Sequence, residues 1–251
     1  SYGPQNLFIC NEDPNPLVAG KGIPRITEKG TKVHWGLLKE EGQLLNKRFF
    51  TFHQKQRPYI ILKWAETQDG FIARKNYDSK WISSVDSRTM VHQWRTEEAA
   101  IMVGTNTAQY DNPQLTARMS VGNDPVRVVI DKTLKLKKDL YLFDHNVPTI
   151  CFNSIKNATE KNLKFIQVRD TENFLTELFY SLYEENIQSI IVEGGSQLLQ
   201  SIINEGLWDE ARVFVGEKHF FDGISSPKVN QKVISTKKSG PDILKTIMNI
   251  S

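Results

Sequence analysis

The segment Ser189-Ile190-Ile191-Val192-Glu193-Gly194-Gly195-Ser196 runs from a short apolar strand through two glycines to a helix start. A strand of this kind, with no polar alternation, belongs inside a parallel sheet covered on both faces. Two glycines at its carboxyl end let backbone N–H groups approach a ligand, because no Cβ stands between them. The helix from Ser196 adds unpaired N–H groups and the positive end of its dipole, which suit a phosphate. Taken alone, the motif fits a plain strand-to-helix turn equally well.

Outward from this point, apolar strands are expected at residues 7–10, 32–35, 59–64, 100–103, 126–130, 149–152, 165–168 and 212–215, with a last one at 242–248. Between them lie amphipathic helices. The clearest covers 172–185, where Phe174, Leu175, Leu178, Phe179, Leu182 and Tyr183 recur at helical spacing. A second covers 196–205 and stops at Gly206, and a third starts at Ser83 or Ser84 and runs to about Arg95. This alternation predicts an α/β architecture in three layers, with a mostly parallel central sheet and helices on both faces. Ligands then gather at the carboxyl ends of the strands.

Residues 1–56 read differently. They hold two strands, a short helical stretch, the turn Asp13-Pro14-Asn15-Pro16 and a polar helix near 40–54. Two strands are too few for an independent α/β core, so this part is expected to be the tail of another domain or a piece packed on the main domain, 57–251.

The chain has 251 residues, of which 39% are hydrophobic and 24% charged, with a net charge of +3 spread along its length. That balance gives no dedicated nucleic-acid surface and suits small anionic ligands. Cys10 and Cys151 lie in apolar runs with no metal or CxxC spacing, so both are expected to be buried free thiols in a reducing, cytoplasmic setting. No apolar run reaches about 18 residues and the start lacks a leader pattern, so neither a membrane partner nor secretion is expected. The five histidines have no metal-ligand spacing, and no metal is expected. Phosphate-loop, dinucleotide and nucleophile-elbow signatures are absent.

Four segments follow strand ends and carry the chemistry-bearing residues. In Leu62-Lys63-Trp64-Ala65-Glu66-Thr67-Gln68-Asp69-Gly70, Lys63 stands inside an apolar strand and must reach the sheet edge or meet an acid or ligand. Asp69-Gly70 reads first as a turn. In Ser79-Lys80-Trp81-Ile82-Ser83-Ser84, Trp81 either stacks on a heterocycle or fills core. The third segment, Val103 to Arg118, offers small hydroxyl residues at 104–107 and Asp111-Asn112-Pro113, then Arg118, able to grip a phosphate with two bonds. Glu193 closes the fourth, with no cation near it in sequence.

As an ordered set these segments resemble the reductase domain of the bifunctional riboflavin-biosynthesis deaminase/reductase family, over about residues 57–251. The resemblance rests on Asp-Asn-Pro-Gln-Leu-Thr-Ala-Arg (111–118) together with Val-Glu-Gly-Gly (192–195). It implies a dihydrofolate-reductase-like fold, a homodimer, and NADPH-dependent reduction of 5-amino-6-(5-phosphoribosylamino)uracil at the sugar C1′. By the same resemblance the cofactor would meet Ala65, Trp81, Thr107, Asp111, Gly195, Ser196, Gln197 and Leu198. Lys132 stands where the family often has a hydroxyl and could pair with the 2′-phosphate. Glu66 replaces the small residue common next to Ala65. The phosphorylated pyrimidine ribosylamine would meet Ser79, Arg95, Leu115, Arg118 and Glu193, with Arg95 and Arg118 on its phosphate. Lys63 and Asp111 are the candidate proton donors. Residues 12–23 resemble the last third of the family's zinc deaminase domain, but its His-Ala-Glu and Pro-Cys-x-x-Cys motifs are missing, so no deaminase activity is expected. The resemblance thus implies a piece of a longer protein or one that has lost that half. A pterin reductase on the same fold and a non-catalytic nucleotide-binding module are the alternatives.

Overall fold

The computed structural model describes residues 3–78 and 82–249. The chain divides into two compact units, Ser1–Tyr59 and Ile60–Ser251.

In the smaller unit, β1 (Asn6–Ile9) pairs in parallel with β2 (Lys32–Trp35), and α1 (Gly22–Thr27) lies between them in sequence. The single helix expected near 40–54 is two: α2 (Lys39–Leu45) and α3 (Lys47–Lys55). Asn46 makes the break. Its backbone N–H makes the last helical bond of α2, to the Gly42 carbonyl; its side-chain amide shares that carbonyl, and its φ of −106° and ψ of 28° leave the helical range. Cys10 is exposed, not buried as its apolar run suggests. An apolar run marks a buried strand only where layers cover both faces, and β1 belongs to a two-stranded sheet.

The larger unit begins with β3 (Tyr59–Glu66), β4 (Phe71–Ala73), α4 (Val85–Glu97), β5 (Ala100–Val103), α5 (Thr105–Asp111), β6 (Val126–Ile130), β7 (Thr149–Asn153), β8 (Ala158–Glu160) and β9 (Leu163–Gln167). It continues with α6 (Phe174–Glu184), β10 (Ser189–Val192), α7 (Ser196–Asn204), β11 (Glu210–Val215), β12 (Ile224–Ser225), β13 (Val233–Ser239) and β14 (Asp242–Met248). Ten strands form one sheet in the order β13-β14-β11-β3-β10-β5-β6-β7-β9-β8. The pairs β11/β3, β10/β5, β5/β6, β6/β7 and β7/β9 are parallel, whereas β13/β14, β14/β11 and β8/β9 are antiparallel. The mostly parallel sheet of the sequence reading is therefore present, with antiparallel edges added. β4 and β12 make a separate two-stranded ribbon.

Alternation along the strands divides the core. Ala100 and Met102 face one side, where Leu175, Leu178, Phe179 and Leu182 of α6 and Leu199 and Ile202 of α7 cover the sheet. Ile101 and Val103 face the other, against Ala108 of α5 and Leu136, Leu140 and Leu142. Further along that face, Phe214 and Leu244 meet Val91 and Trp94 of α4. Cys151 is wholly buried here, and burial, reinforced by Asp131, pushes its thiol up to about 12.

The start of α4 is fixed from two directions. Ser84 Oγ accepts from the Ser87 N–H at 3.2 Å, an N-cap. The Asp242 carboxylate of β14 accepts from Ser84 N–H at 2.7 Å and from Ser87 Oγ at 2.6 Å. The helix that carries Arg95 is thus bolted to the sheet.

Leu178 is completely buried between α6 and the sheet. Leu178→Ala should lower the unfolding free energy by roughly 2–5 kcal/mol, through lost burial and the cavity left behind. A drop in the denaturation midpoint at unchanged m-value checks this.

Candidate active site

A cleft of about 830 Å³ opens where β3, β5, β6 and β10 end. Its floor is the glycine turn. Gly194 has φ +146° and Gly195 φ +79°, and Gly195 caps α7. A Cβ on Gly194 would stand 3.2 Å from the Thr107 Cγ2 and Oγ1, and one on Gly195 3.5 Å from Oγ1. Gly104, the cap of α5, lies against Leu198 and the Gly194 carbonyl. The starts of α5 and α7 therefore sit side by side, with Thr107 packed under the glycine pair. Ser196, Gln197 and Leu198 line the same wall, and Ser196 Oγ donates to the Ser225 carbonyl at 2.8 Å.

A buried charge cluster adjoins the glycine turn through Glu193, the residue before Gly194. Arg95 Nη2 donates to Glu193 Oε2 at 2.8 Å and Arg95 Nε to Oε1 at 3.2 Å, a two-pronged grip. Arg95 Nη1 donates to the Thr116 carbonyl at 2.9 Å. Lys63 Nζ lies 3.9 Å from Glu193 Oε2. All three side chains are at most 15% exposed. Burial alone would push the Glu193 carboxyl up; Arg95 and Lys63 outweigh it and hold it down at about 2. Since this folded value lies below the ordinary one, the pair's contribution to stability is complete above the ordinary carboxylate range. It is lost as pH falls toward 2. Lys63 is shifted down, first by burial and further by Arg95, against an upward pull from Glu193.

His92, one helical turn before Arg95, is 5% exposed. Burial, then Arg95 and Arg118, lower its pKa to about 4, so the ring is neutral near pH 7. No sequence signal marked it. Tyr77, Tyr110 and Lys135, which also line the cleft, escaped the sequence reading for the same reason: single residues with no motif.

The structure brings most of the expected residues together. Lys63, Ala65, Thr107, Asp111, Lys132, Glu193 and the 195–198 turn all line the cleft. Lys132 pairs with Asp170 at 2.5 Å and lies over the Phe174 ring. Ser79 and Trp81 lie outside the described residues. Two of the expected residues are not among the lining residues. Arg95 has its guanidinium bonded to Glu193 and to the Thr116 carbonyl, which positions Glu193. Leu115 is 2% exposed and its side chain belongs to the core with Ile101 and Val103, not to the cleft lining. Arg118 is exposed and within electrostatic reach of His92; it is not among the lining residues. Asp69 is a structural residue: its carboxylate accepts from the Phe220 and Phe221 N–H groups and ties the β3–β4 turn to the segment after β11.

The sequence model of the RibD C-terminal domain matches residues 58–245. The chain belongs to this family. It is 36% identical over 228 residues to the riboflavin biosynthesis protein RibD of Aquifex aeolicus, covering 89% of this chain and 64% of that protein. It is 35% identical over 272 residues to RibD of Actinobacillus pleuropneumoniae, covering 99% of this chain and 72% of that protein. The solved structure of a diaminohydroxyphosphoribosylaminopyrimidine deaminase/5-amino-6-(5-phosphoribosylamino)uracil reductase from Thermotoga maritima superposes with a TM-score of 0.85 at 31% identity. That match covers 97% of this chain and 71% of the other. The chain thus spans about two thirds of the length of its RibD relatives. Among the described residues, no group of three or more His, Cys, Asp or Glu side chains could hold a metal, and no helix is long and apolar enough to cross a membrane.

Gly195→Val places a branched side chain at φ +79°, beside Thr107, where the backbone must be approached. Affinity for a reduced nicotinamide dinucleotide, measured by fluorescence titration, should fall at least about ten-fold while the fold persists by circular dichroism.

Proposed function

We propose that this chain is a 5-amino-6-(5-phosphoribosylamino)uracil reductase that uses NADPH. The observation that carries the reading is that one cleft is lined both by the glycine turn leading into α7 and by Glu193 and Lys63, with Arg95 holding Glu193 from behind. The cradle fits a dinucleotide pyrophosphate: it offers backbone N–H groups at the start of α7, and the space a Cβ would fill is open only because both residues are glycine. Bound there, the cofactor supplies the hydride for the sugar C1′ of the ring-opened substrate.

The chain's own residues do the rest. Gly195 to Leu198 and Thr107 hold the pyrophosphate side. Lys135, and Lys132 on exchange of its exposed Asp170 partner, are the lining cations for a 2′-phosphate, which favours NADPH over NADH. Glu193, fixed as a carboxylate, accepts hydrogen bonds from the substrate and keeps Lys63 in place. Lys63, shifted down by burial, gives up its proton more readily than a free lysine and is the donor at the substrate nitrogen. Asp111 stands at the end of α5 on the same lining as the second candidate for proton handling. Arg118, within electrostatic reach of His92, takes the substrate's phosphate. A rigid glycine turn with a fixed charge cluster beside it converts binding into orientation, which is the chief work asked of a hydride-transfer site.

NADPH oxidation followed at the nicotinamide absorbance, with the ribosylaminouracil phosphate and separately with dihydrofolate, tests the reading. Turnover of the first alone supports it, and no turnover of either overturns it. A donor must be protonated, so activity should fall as pH rises through the lowered pKa of Lys63. Glu193 raises that pKa; in Glu193→Gln the alkaline limb of kcat should therefore move to lower pH. Lys132→Ala should raise KM for NADPH several-fold and leave KM for NADH unchanged, checked by steady-state kinetics with each cofactor.

A further inference from the structure

Tyr77 and Tyr110 both line the cleft and lie face to face, with ring centroids 4.3 Å apart and planes within 4° of parallel. They are 41% and 55% exposed, so their contact adds little to the core. Their supports differ. Tyr110 stands on α5, which is anchored by wholly buried Ala108. Tyr77 stands in a turn: Tyr77 N–H donates to the Arg74 carbonyl and Arg74 N–H to the Asp78 carbonyl, each at 2.9 Å, and Asp78 N–H to Asn76 Oδ1 at 3.1 Å, while Arg74 lies over the Phe220 ring and Lys75 pairs with Asp222 at the surface. Its φ of +66° is left-handed, a conformation that glycine or asparagine takes far more readily than tyrosine. Strain at a residue lining a cleft points to a task for its side chain.

We propose that Tyr77 and Tyr110 form a stacking clamp for a planar heterocycle, held between the two rings. One jaw is fixed on a helix and the other rides on the turn after β4. Receiving a ring requires the centroids to part to roughly 7 Å, twice a carbon-to-carbon contact of about 3.5 Å. The turn bearing Tyr77 makes that movement; its link to the segment after β11 is the exposed Lys75–Asp222 pair and the Arg74 side chain over Phe220, both of which adjust at the surface. The clamp reads a flat aromatic face and makes no use of the phenol hydroxyls. It rests on the reading of the cleft as a nucleotide site and deepens it. The ring comes from the dinucleotide or from the substrate pyrimidine, and both carry a ribose and phosphate.

Calorimetric titration of the wild-type chain, Tyr77→Ala, Tyr110→Ala, the double variant, Tyr77→Phe and Tyr110→Phe distinguishes these. The probes are NADP⁺, adenosine 2′,5′-bisphosphate and uridine 5′-monophosphate. Both alanine variants should weaken the same probe by about five-fold to a hundred-fold, the range of base–aromatic stacking. The double variant should be little worse than either single one, because both jaws serve one ring. The phenylalanine variants should bind within about two-fold of wild type. Loss of both NADP⁺ and the bisphosphate assigns the clamp to adenine, loss of NADP⁺ alone to nicotinamide, and loss of the uridine nucleotide to the pyrimidine. Tyr77→Leu and Tyr110→Leu, which keep bulk without an aromatic face, replace any alanine variant that does not fold. Unchanged affinities in both alanine variants, effects on different probes, or phenylalanine variants as weak as alanine overturn the clamp and leave the reductase reading standing. Failure of every probe to bind wild type overturns both.

Discussion

The grip of Arg95 on Glu193 is the interaction on which the cleft depends. A carboxylate this buried is tolerated only when a cation meets it with good geometry, and the two-pronged contact supplies both charge and direction. It also joins α4, on one face of the sheet, to the end of β10, so helix and strand cannot shift independently. With Asp242 holding the start of α4 and Glu193 its end, the helix is pinned at both extremities. The third charge, Lys63, enters from β3 and completes a line of cation, anion and cation. Removing the central carboxylate would leave two like charges facing each other without water, a far worse state than removing any one of the outer pair.

The sequence made some of this legible. Strands such as Ser189–Val192 and Ala100–Val103 agree to the residue, because an unbroken apolar run has one meaning in a sheet covered on both sides. The glycine pair was visible for a similar reason, since its role is local. α5 was not visible: of its residues only Ala108 is buried, so Thr105–Asp111 carries no apolar stripe and reads as a polar loop. β13 was missed because it is an edge strand, largely exposed and studded with lysine. The partner of Glu193 could not be read at all. Arg95 lies 98 positions away, and only the folded topology brings the two together. Hence an arginine that invites a phosphate on paper turns out to be occupied, while Arg118 stays at the surface.

The cleft lining draws on three parts of the fold. Gly194 and Gly195 lead into α7, Glu193 and Lys63 stand on the ends of β10 and β3, and Tyr77 and Tyr110 meet face to face at 4.3 Å. On the proposed reading the first serves charge, the second polarity and the third a flat ring.

The two cysteines have a practical corollary. The Cys151 thiol is sealed in the interior and holds its proton to about 12, so it carries almost no thiolate near neutrality. Cys10 lies open on the smaller unit. An alkylating dye or spin label added under native conditions therefore attaches at one position, giving a singly tagged chain with its cleft chemistry intact and no engineered mutation.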